Sequence, residues 1–292
     1  TPAAFYAHHP KRKDEQQIAE YLIDMPERID GSDGVDLVIG GGGNYFGPVM
    51  RETLAERKVT VHDGWKGEVS VDKQAYHFLR PGPLGSARAR HGDGDDATPT
   101  LAEMTQVGLE SLSSREDGFL LVVEGGQIDW AQHAMDKGEG LLEEIEDFDQ
   151  AVEVAHAFAK RDGDTLVLVT ADHDHTTSVI DNHYGFSETC KCAATTECGG
   201  GTELSRLRVP TREIPNAPGF DDSQLQGRFS PPEISIQYGW LPEVAAPKTR
   251  LNGPHSATFV PLYAYGPWAT KLQGFRDQPD IGSVLMEWAA TK

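Results

Sequence analysis

The chain has 292 residues, 38% hydrophobic and 8% aromatic, with 46 acidic against 26 basic side chains and a net charge of −20. A chain of this length can bury a large core as one α/β domain, or one with a decorated insertion. Its charge repels nucleic acid and anionic membrane, which bind through clustered Lys and Arg; an anionic substrate would need a local positive centre such as bound metal ions.

An excess of carboxylates is also what keeps a surface solvated in a saline habitat. No apolar run approaches the roughly 20 residues that span a bilayer, and no signal peptide is visible. Thr1 is not an initiator Met, so the N-terminus is expected to be processed, trimmed or part of a longer chain.

Residues 14–25, DEQQIAEYLIDM, set Ile18, Tyr21, Leu22 and Met25 at helical spacing. VDLVIGGGG (35–43) reads as a short buried strand running into a glycine turn. It lacks both GxGxxG and GxxxxGK[ST], so a turn is expected rather than a phosphate cradle. Residues 80–99, RPGPLGSARARHGDGDDATP, are loop by composition, and their D-G-D-D run has no closing Glu of an EF-hand. Thr100 and Glu103 form a capping box for a helix through Ser114.

FLLVVEGG (119–126) reads as a second buried strand. Leu141, Ile145, Phe148, Val152, Ala155 and Ala159 then step along a long amphipathic helix, with Glu143, Glu144, Glu146 and Asp147 expected on its solvated flank. TLVLVTADHDHTT (165–177) is a third strand with a polar end. Residues 180–250 are irregular and read as a loop-rich insertion. Within them Cys190, Cys192 and Cys198 favour one disulfide plus a free thiol, since a Cys-only metal site lacks a nearby fourth ligand. Clustered cysteines lean toward export. FVPLYAYG (259–266) returns as a strand, and 282–290 closes with a helix. The expected architecture is a single α/β domain over 1–292, with a mostly parallel central sheet flanked by helices.

In open α/β sheets, sites form beyond the carboxyl ends of the strands. The 119–126 strand delivers Glu124, then Asp129 and His133, whose i,i+4 spacing places both on one helical face as ligands of one ion. The 165–177 strand delivers Asp172, His173 and, just beyond, His175; His255 precedes the strand at 259. One such residue after a strand is an ordinary turn or cap, but three boundaries carrying them point to a shared metal centre. Mixed carboxylate and imidazole suits zinc; carboxylate alone suits magnesium.

At this point VEGGQIDWAQHA, VTADHDHTT and GPHSATFVPLYAYGP together resemble the three metal-binding motifs of alkaline phosphatases. The opening TPAAFYAHHPKR, the GGGGNYF turn and the helix after Thr100 are similar to that family too, so the likeness runs along most of the chain and is weakest over 180–250. The resemblance implies two zinc ions and one magnesium ion. Asp129, His133 and His255 would hold the first zinc, Asp172 and His173 the second, and Glu124 with Thr1 would reach the magnesium. Arg12 would grip phosphate oxygens with its planar guanidinium, while Trp130 and His175 would sit behind the ligands. It further implies hydrolysis of phosphate monoesters through a phosphoserine, a homodimer, and a periplasmic or extracellular location.

In the family the nucleophilic serine and its neighbouring Asp lie upstream of the Thr that matches Thr1, and Ser86, Ser111, Ser113, Ser114 and Ser187 stand in the wrong order to replace it. Three explanations are open: a piece of a longer protein, a nicked enzyme with a separate N-terminal fragment, or an inactive metal-binding relative. The third motif reads H-S-A where the family often has H-T-G, and Trp130 stands where residues vary between basic and aromatic. A phosphodiesterase or sulfatase would share the metal core, but Arg12 and E-G-G-x-I-D favour a monoesterase. Thr1 as an N-terminal nucleophile would need a different architecture and would leave the four motifs unexplained.

Overall fold

The computed structural model describes residues 2–28, 34–65, 74–91, 98–134, 139–175, 177–181, 205–208, 233–238, 255–256 and 258–291. The cysteine cluster, the D-G-D-D run and Thr1 lie outside them. In chain order the elements are α1 (Glu15–Arg28), β1 (Leu37–Gly40), α2 (Pro48–Glu56), β2 (Thr60–Asp63), β3 (Ala75–Phe78), α3 (Ala87–His91), α4 (Leu101–Leu112) and α5 (Gln127–His133). They continue with α6 (Glu139–Asp162), β4 (Val167–Thr170), β5 (Asp174–His175), β6 (Thr177–Asp181), β7 (Ser205–Arg208), β8 (Glu233–Tyr238), β9 (His255–Ser256), β10 (Leu262–Tyr265) and α7 (Gln278–Ala289). The chain divides into two bodies: one of Thr1–Gly126, Glu144–Thr170 and Leu262–Lys292, the other of Gln127–Glu143 and Ala171–Pro261.

The first body is α/β, with a parallel sheet ordered β1-β3-β2. Central β3 is buried along its whole length, as a strand covered on both faces must be. Leu22 and Ile23 of α1, Leu54 of α2 and Phe46 pack with Tyr76 and Phe78, and the Phe46 and Phe78 rings stack at 4.3 Å. Leu54 is only 1% exposed, so truncating it to Ala removes about 2–5 kcal/mol. The glycine turn after β1 is a close approach: a Cβ on Gly41 would lie 2.3 Å from the Gly82 carbonyl oxygen. The N–H groups of Gly42, Gly43 and Asn44 donate to the carbonyls of Gly82, Arg80 and Pro81 at 2.8, 3.1 and 3.0 Å. Amides consumed in this way cannot cradle a phosphate, which is the turn expected from the sequence.

Helix α4 carries the expected capping box, with Glu103 N–H donating to Thr100 Oγ1 and Thr100 N–H to the Glu103 carboxylate. Three expectations change. Residues 119–125 form no ladder with any strand among the described residues; they pack by side chains instead, Phe119 edge-on to Phe158 and Leu121 against Gly108 of α4. The reason is that an apolar run needs a neighbouring backbone, not only its own pattern, to become a strand. Second, β4 pairs with β10 antiparallel, Leu262 opposite Thr170 and Tyr265 opposite Val167; strand direction leaves no trace in composition.

The third change concerns α6 and the loop-like 80–99 segment. Glu144 and Asp147 are buried at 5% and 2% exposure, not on a solvated flank, whereas Ile145 is 41% exposed. Their partners come from a short helix, α3, inside the stretch read as loop, and from the first residue of α4. Asp147 receives the Arg90 guanidinium at 2.7 Å, the Leu101 N–H at 3.1 Å, and lies 2.9 Å from His91 Nε2. Glu144 accepts the Ala87 N–H at 2.7 Å, at the start of α3. Burial of these carboxylates is affordable only because every one of these donors is in place.

The second body holds α5, an antiparallel pair β5–β9, and an antiparallel three-stranded sheet ordered β6-β8-β7; β7 and β8 lie within the 180–250 stretch read as irregular, which therefore carries strands, while β6 only runs into its start. No described helix is long and apolar enough to cross a membrane.

Candidate metal centre

The site is built by three short elements of the second body. Helix α5 places Asp129 and His133 one turn apart on one face, and Ala134 N–H closes that turn onto the Trp130 carbonyl at 2.9 Å. The segment after β4 carries Asp172 and His173 into β5, which ends on His175. Strand β9 lies antiparallel to β5 with His255 directly opposite His175.

These elements bring four imidazoles around one carboxylate oxygen. Asp129 Oδ1 lies 2.8 Å from His175 Nε2, 3.2 Å from His255 Nε2, 3.4 Å from His133 Nε2 and 3.6 Å from His173 Nε2. His133 and His255 approach each other at 2.9 Å through their Nε2 atoms, and the His173 and His255 rings stack with centroids 3.5 Å apart. His175 is 5% exposed, Asp129 is half-buried and His255 is exposed. The Nδ1 atoms of His173 and His175 are buried without a hydrogen-bond partner among the described residues.

Burial raises the Asp129 carboxyl, but the hydrogen bond with His175 and the charges of His133, His175 and His173 outweigh it and hold the group below its ordinary value. The Asp174 carboxyl is lowered as well, chiefly by the Ser256 hydroxyl, against burial, with help from Thr258 and the His175 backbone.

Does this set fit a metal? Asp129, His173, His175 and His255 each offer a ligand atom within 4.8 Å of the others. The triangle of Asp129 Oδ1, His133 Nε2 and His255 Nε2 has edges of 3.4, 3.2 and 2.9 Å. Ligand atoms around a tetrahedral zinc stand about 3.3 Å apart, so the triangle matches one face of such a site. Two ring nitrogens facing each other with one proton or none between them repel or share; a cation satisfies both. The donor chemistry therefore fits a borderline-soft divalent ion.

The other sequence-derived candidates lie as follows. His173 Nε2 is 3.6 Å from Asp172 Oδ2, so the adjacent pair does converge, with Asp172 exposed. Trp130 follows Asp129 on α5 and is 51% exposed. Glu124 and Arg12 belong to the first body, both exposed, with Glu124 folded back beside Gly126. Thr1 is outside the described residues. Sequence reasoning passed over Asp174, Ser256 and Thr258, which bond to one another next to the histidines. The alternation in D-H-D-H was the available signal: residues two apart share a strand face, so Asp174 must point away from His173 and His175.

A family model described as alkaline phosphatase matches residues 86–201. "Alkaline phosphatase 4" of Bacillus subtilis is 30% identical over 314 residues, covering 98% of this chain and 64% of that protein. An Escherichia coli protein described as alkaline phosphatase is 48% identical over 187 residues, covering 64% of this chain and 31% of that protein. Among solved structures, a variant of TAB5 alkaline phosphatase with magnesium bound aligns with a TM-score of 0.67 at 24% identity, covering 99% of this chain and 68% of that one. This chain thus spans 64% of the length of the Bacillus relative.

Proposed function

We propose that this chain, which belongs to the alkaline phosphatase family, supplies the metal-binding side of a site that hydrolyses phosphate monoesters to an alcohol and inorganic phosphate. The observation that carries the reading is the convergence of four imidazole Nε2 atoms on Asp129 Oδ1. In this reading Asp129, His133 and His255 hold one zinc, Asp172 and His173 contribute to a second, and Glu124 with Thr1 reaches a magnesium. Bound there, the ions supply positive charge for the transferring phosphoryl group and lower the pKa of an attacking hydroxyl or water.

The chain's own residues then do three things. Asp129, held by His175 at 2.8 Å, is kept as the carboxylate that a cation needs. Arg12 takes phosphate oxygens through two parallel N–H donors, so the surrounding acidic chain does not repel its substrate at the last step. Trp130, apolar where a basic side chain would add charge, leaves product phosphate less firmly held. The attacking serine, and with it the phosphoserine intermediate, is assigned to polypeptide beyond this chain, either continuous with it or a separate associated fragment. A homodimer in the periplasm or outside the cell completes the reading.

The test is a chromogenic phosphomonoester offered to the intact natural polypeptide with zinc and magnesium. Turnover that vanishes with a chelator and returns with zinc is the expected result. No turnover by a polypeptide that still binds zinc would leave a non-catalytic metal-binding protein instead. Preferential cleavage of a phosphodiester or a sulfate ester would move the activity to another branch with the same metal core.

A further inference from the structure

Among the described residues, His255 stands on β9, two residues long, and pairs there with β5, which is equally short. Two residues of pairing cannot fix an imidazole to within the few tenths of an ångström that metal coordination needs. Yet His255 sits stacked on His173, with its Nε2 2.9 Å from His133 Nε2.

The other face of the same ladder supplies what the backbone lacks. Asp174 lies directly opposite Ser256. Its Oδ2 accepts the Ser256 hydroxyl at 2.5 Å and the Thr258 hydroxyl at 2.8 Å, and the two hydroxyl oxygens are themselves 2.9 Å apart. The result is a closed triangle of three side-chain oxygens tying the chain on both sides of residue 257 to β5. Side chains of successive strand residues point to opposite faces, so this triangle stands back to back with the His175–His255 pair. The contacts that close it run between its own oxygens, not to an imidazole nitrogen. Hydrogen bonds to an ionised carboxylate are about twice as strong as neutral ones, so the triangle adds a strong cross-strand tie to the short ladder.

From this geometry we infer that Asp174 is a positioning residue: with Ser256 and Thr258 it clamps β9 onto β5 and so sets the His255 imidazole in the metal centre. The inference rests on His255 being a metal ligand, as proposed above. The Ser256 hydroxyl of the H-S-A motif is thereby one of the three corners.

Two readouts on the full chain separate the clamp from the metal reading: zinc affinity by competition with a chromophoric chelator, and hydrogen exchange of the 255–258 backbone in metal-free protein. Asp174→Ala is expected to lower zinc affinity about 10–100-fold, the usual cost of losing a group that orients a ligand, and to speed exchange at 255–258. The visible spectrum of the cobalt-substituted variant should change with it. Asp174→Asn keeps an acceptor oxygen but loses the charge that strengthens its hydrogen bonds, so it should fall between wild type and Ala; Ser256→Ala and Thr258→Val, each leaving one hydroxyl on the carboxylate, should do the same. Should Asp174→Ala fail to fold, Thr258→Val, which removes one hydroxyl at an exposed position, carries the test alone. Unchanged exchange in the Ala variant, or Ser256→Ala and Thr258→Val variants that both keep wild-type zinc affinity and exchange, overturns the clamp, the latter because the charge of Asp174 rather than its hydrogen bonds would be acting. A wild-type chain that binds no zinc, while Asp174→Ala still loosens 255–258, would defeat the metal reading and leave the clamp as a structural tie.

Discussion

Two carboxylates in this molecule are ringed by basic groups, and they differ in what rings them. Asp147 on α6 is 2% exposed and meets a guanidinium, an imidazole and a backbone N–H. Asp129 on α5 is half-buried and meets four imidazole nitrogens. Arg90 carries a permanent positive charge and a peptide N–H a permanent donor, so the Asp147 cluster is complete as it stands. An imidazole nitrogen can offer a lone pair as well as a proton, so the Asp129 cluster has the chemistry to take a cation where the Asp147 cluster does not. A buried acid among fixed donors is architecture; a half-exposed acid among histidines is what the proposed metal centre is built on.

The largest effect that sharpens this contrast belongs to the first cluster. Asp147→Ala strands Arg90, itself 5% exposed at its side chain, and should cost about 3–5 kcal/mol in urea unfolding of the metal-free chain. The same variant should leave zinc affinity near wild type; a large loss of affinity would break the division of labour.

Asp129→Ala should do the converse. It is expected to weaken zinc binding by more than the ~10–100-fold that outer partners of a metal ligand cost, while metal-free stability falls by only about 1–3 kcal/mol, the usual cost of leaving the buried His175 without this partner. Added zinc should raise the unfolding temperature of the wild type and not of this variant.

A smaller effect reads the first body through pH. Burial first, then the charges of Asp36 and Tyr6, push the Tyr76 phenol up to about 12 against the lowering effect of Arg57. An unfolded Tyr ionises near 10. The folded chain keeps the phenol protonated, so this contribution is complete below about pH 10 and is lost as pH rises through 12. Tyr76→Phe should flatten the alkaline fall in the urea midpoint; an unchanged slope would place the alkaline sensitivity elsewhere.

The smallest effect is expected at Trp130, 51% exposed beside Asp129. Trp130→Lys adds a solvated charge worth up to about 1 kcal/mol, so inhibition of the intact natural polypeptide by inorganic phosphate should tighten by no more than about fivefold. No tightening at all would remove Trp130 from the phosphate-release argument.

Local features proved legible where their cause is local. The Thr100–Glu103 capping box closes within one turn, and α6 follows from an apolar repeat, although it runs from Glu139 to Asp162. The i,i+4 pair Asp129 and His133 likewise needs nothing beyond its own helix. Features that fail the same reading depend on partners far along the chain. Glu144 and Asp147 looked like a wet flank because their partners on α3 stand 57 positions away or nearly so. Residues 119–125 look like a strand by pattern and are held by ring and helix contacts.

By itself, then, the sequence determined which residue types are available for a metal centre, their order, and the helices whose periodicity and caps are written within a turn or two. Tertiary structure alone decided which carboxylate the histidines surround, since His255 reaches Asp129 across 126 positions. It also decided that β10 runs antiparallel to β4, and that Asp174 faces the hydroxyls of Ser256 and Thr258. The physical reason is the same in each case: burial of a charge or the pairing of a strand is settled by what arrives from elsewhere, and a residue's own neighbours in the chain cannot specify that.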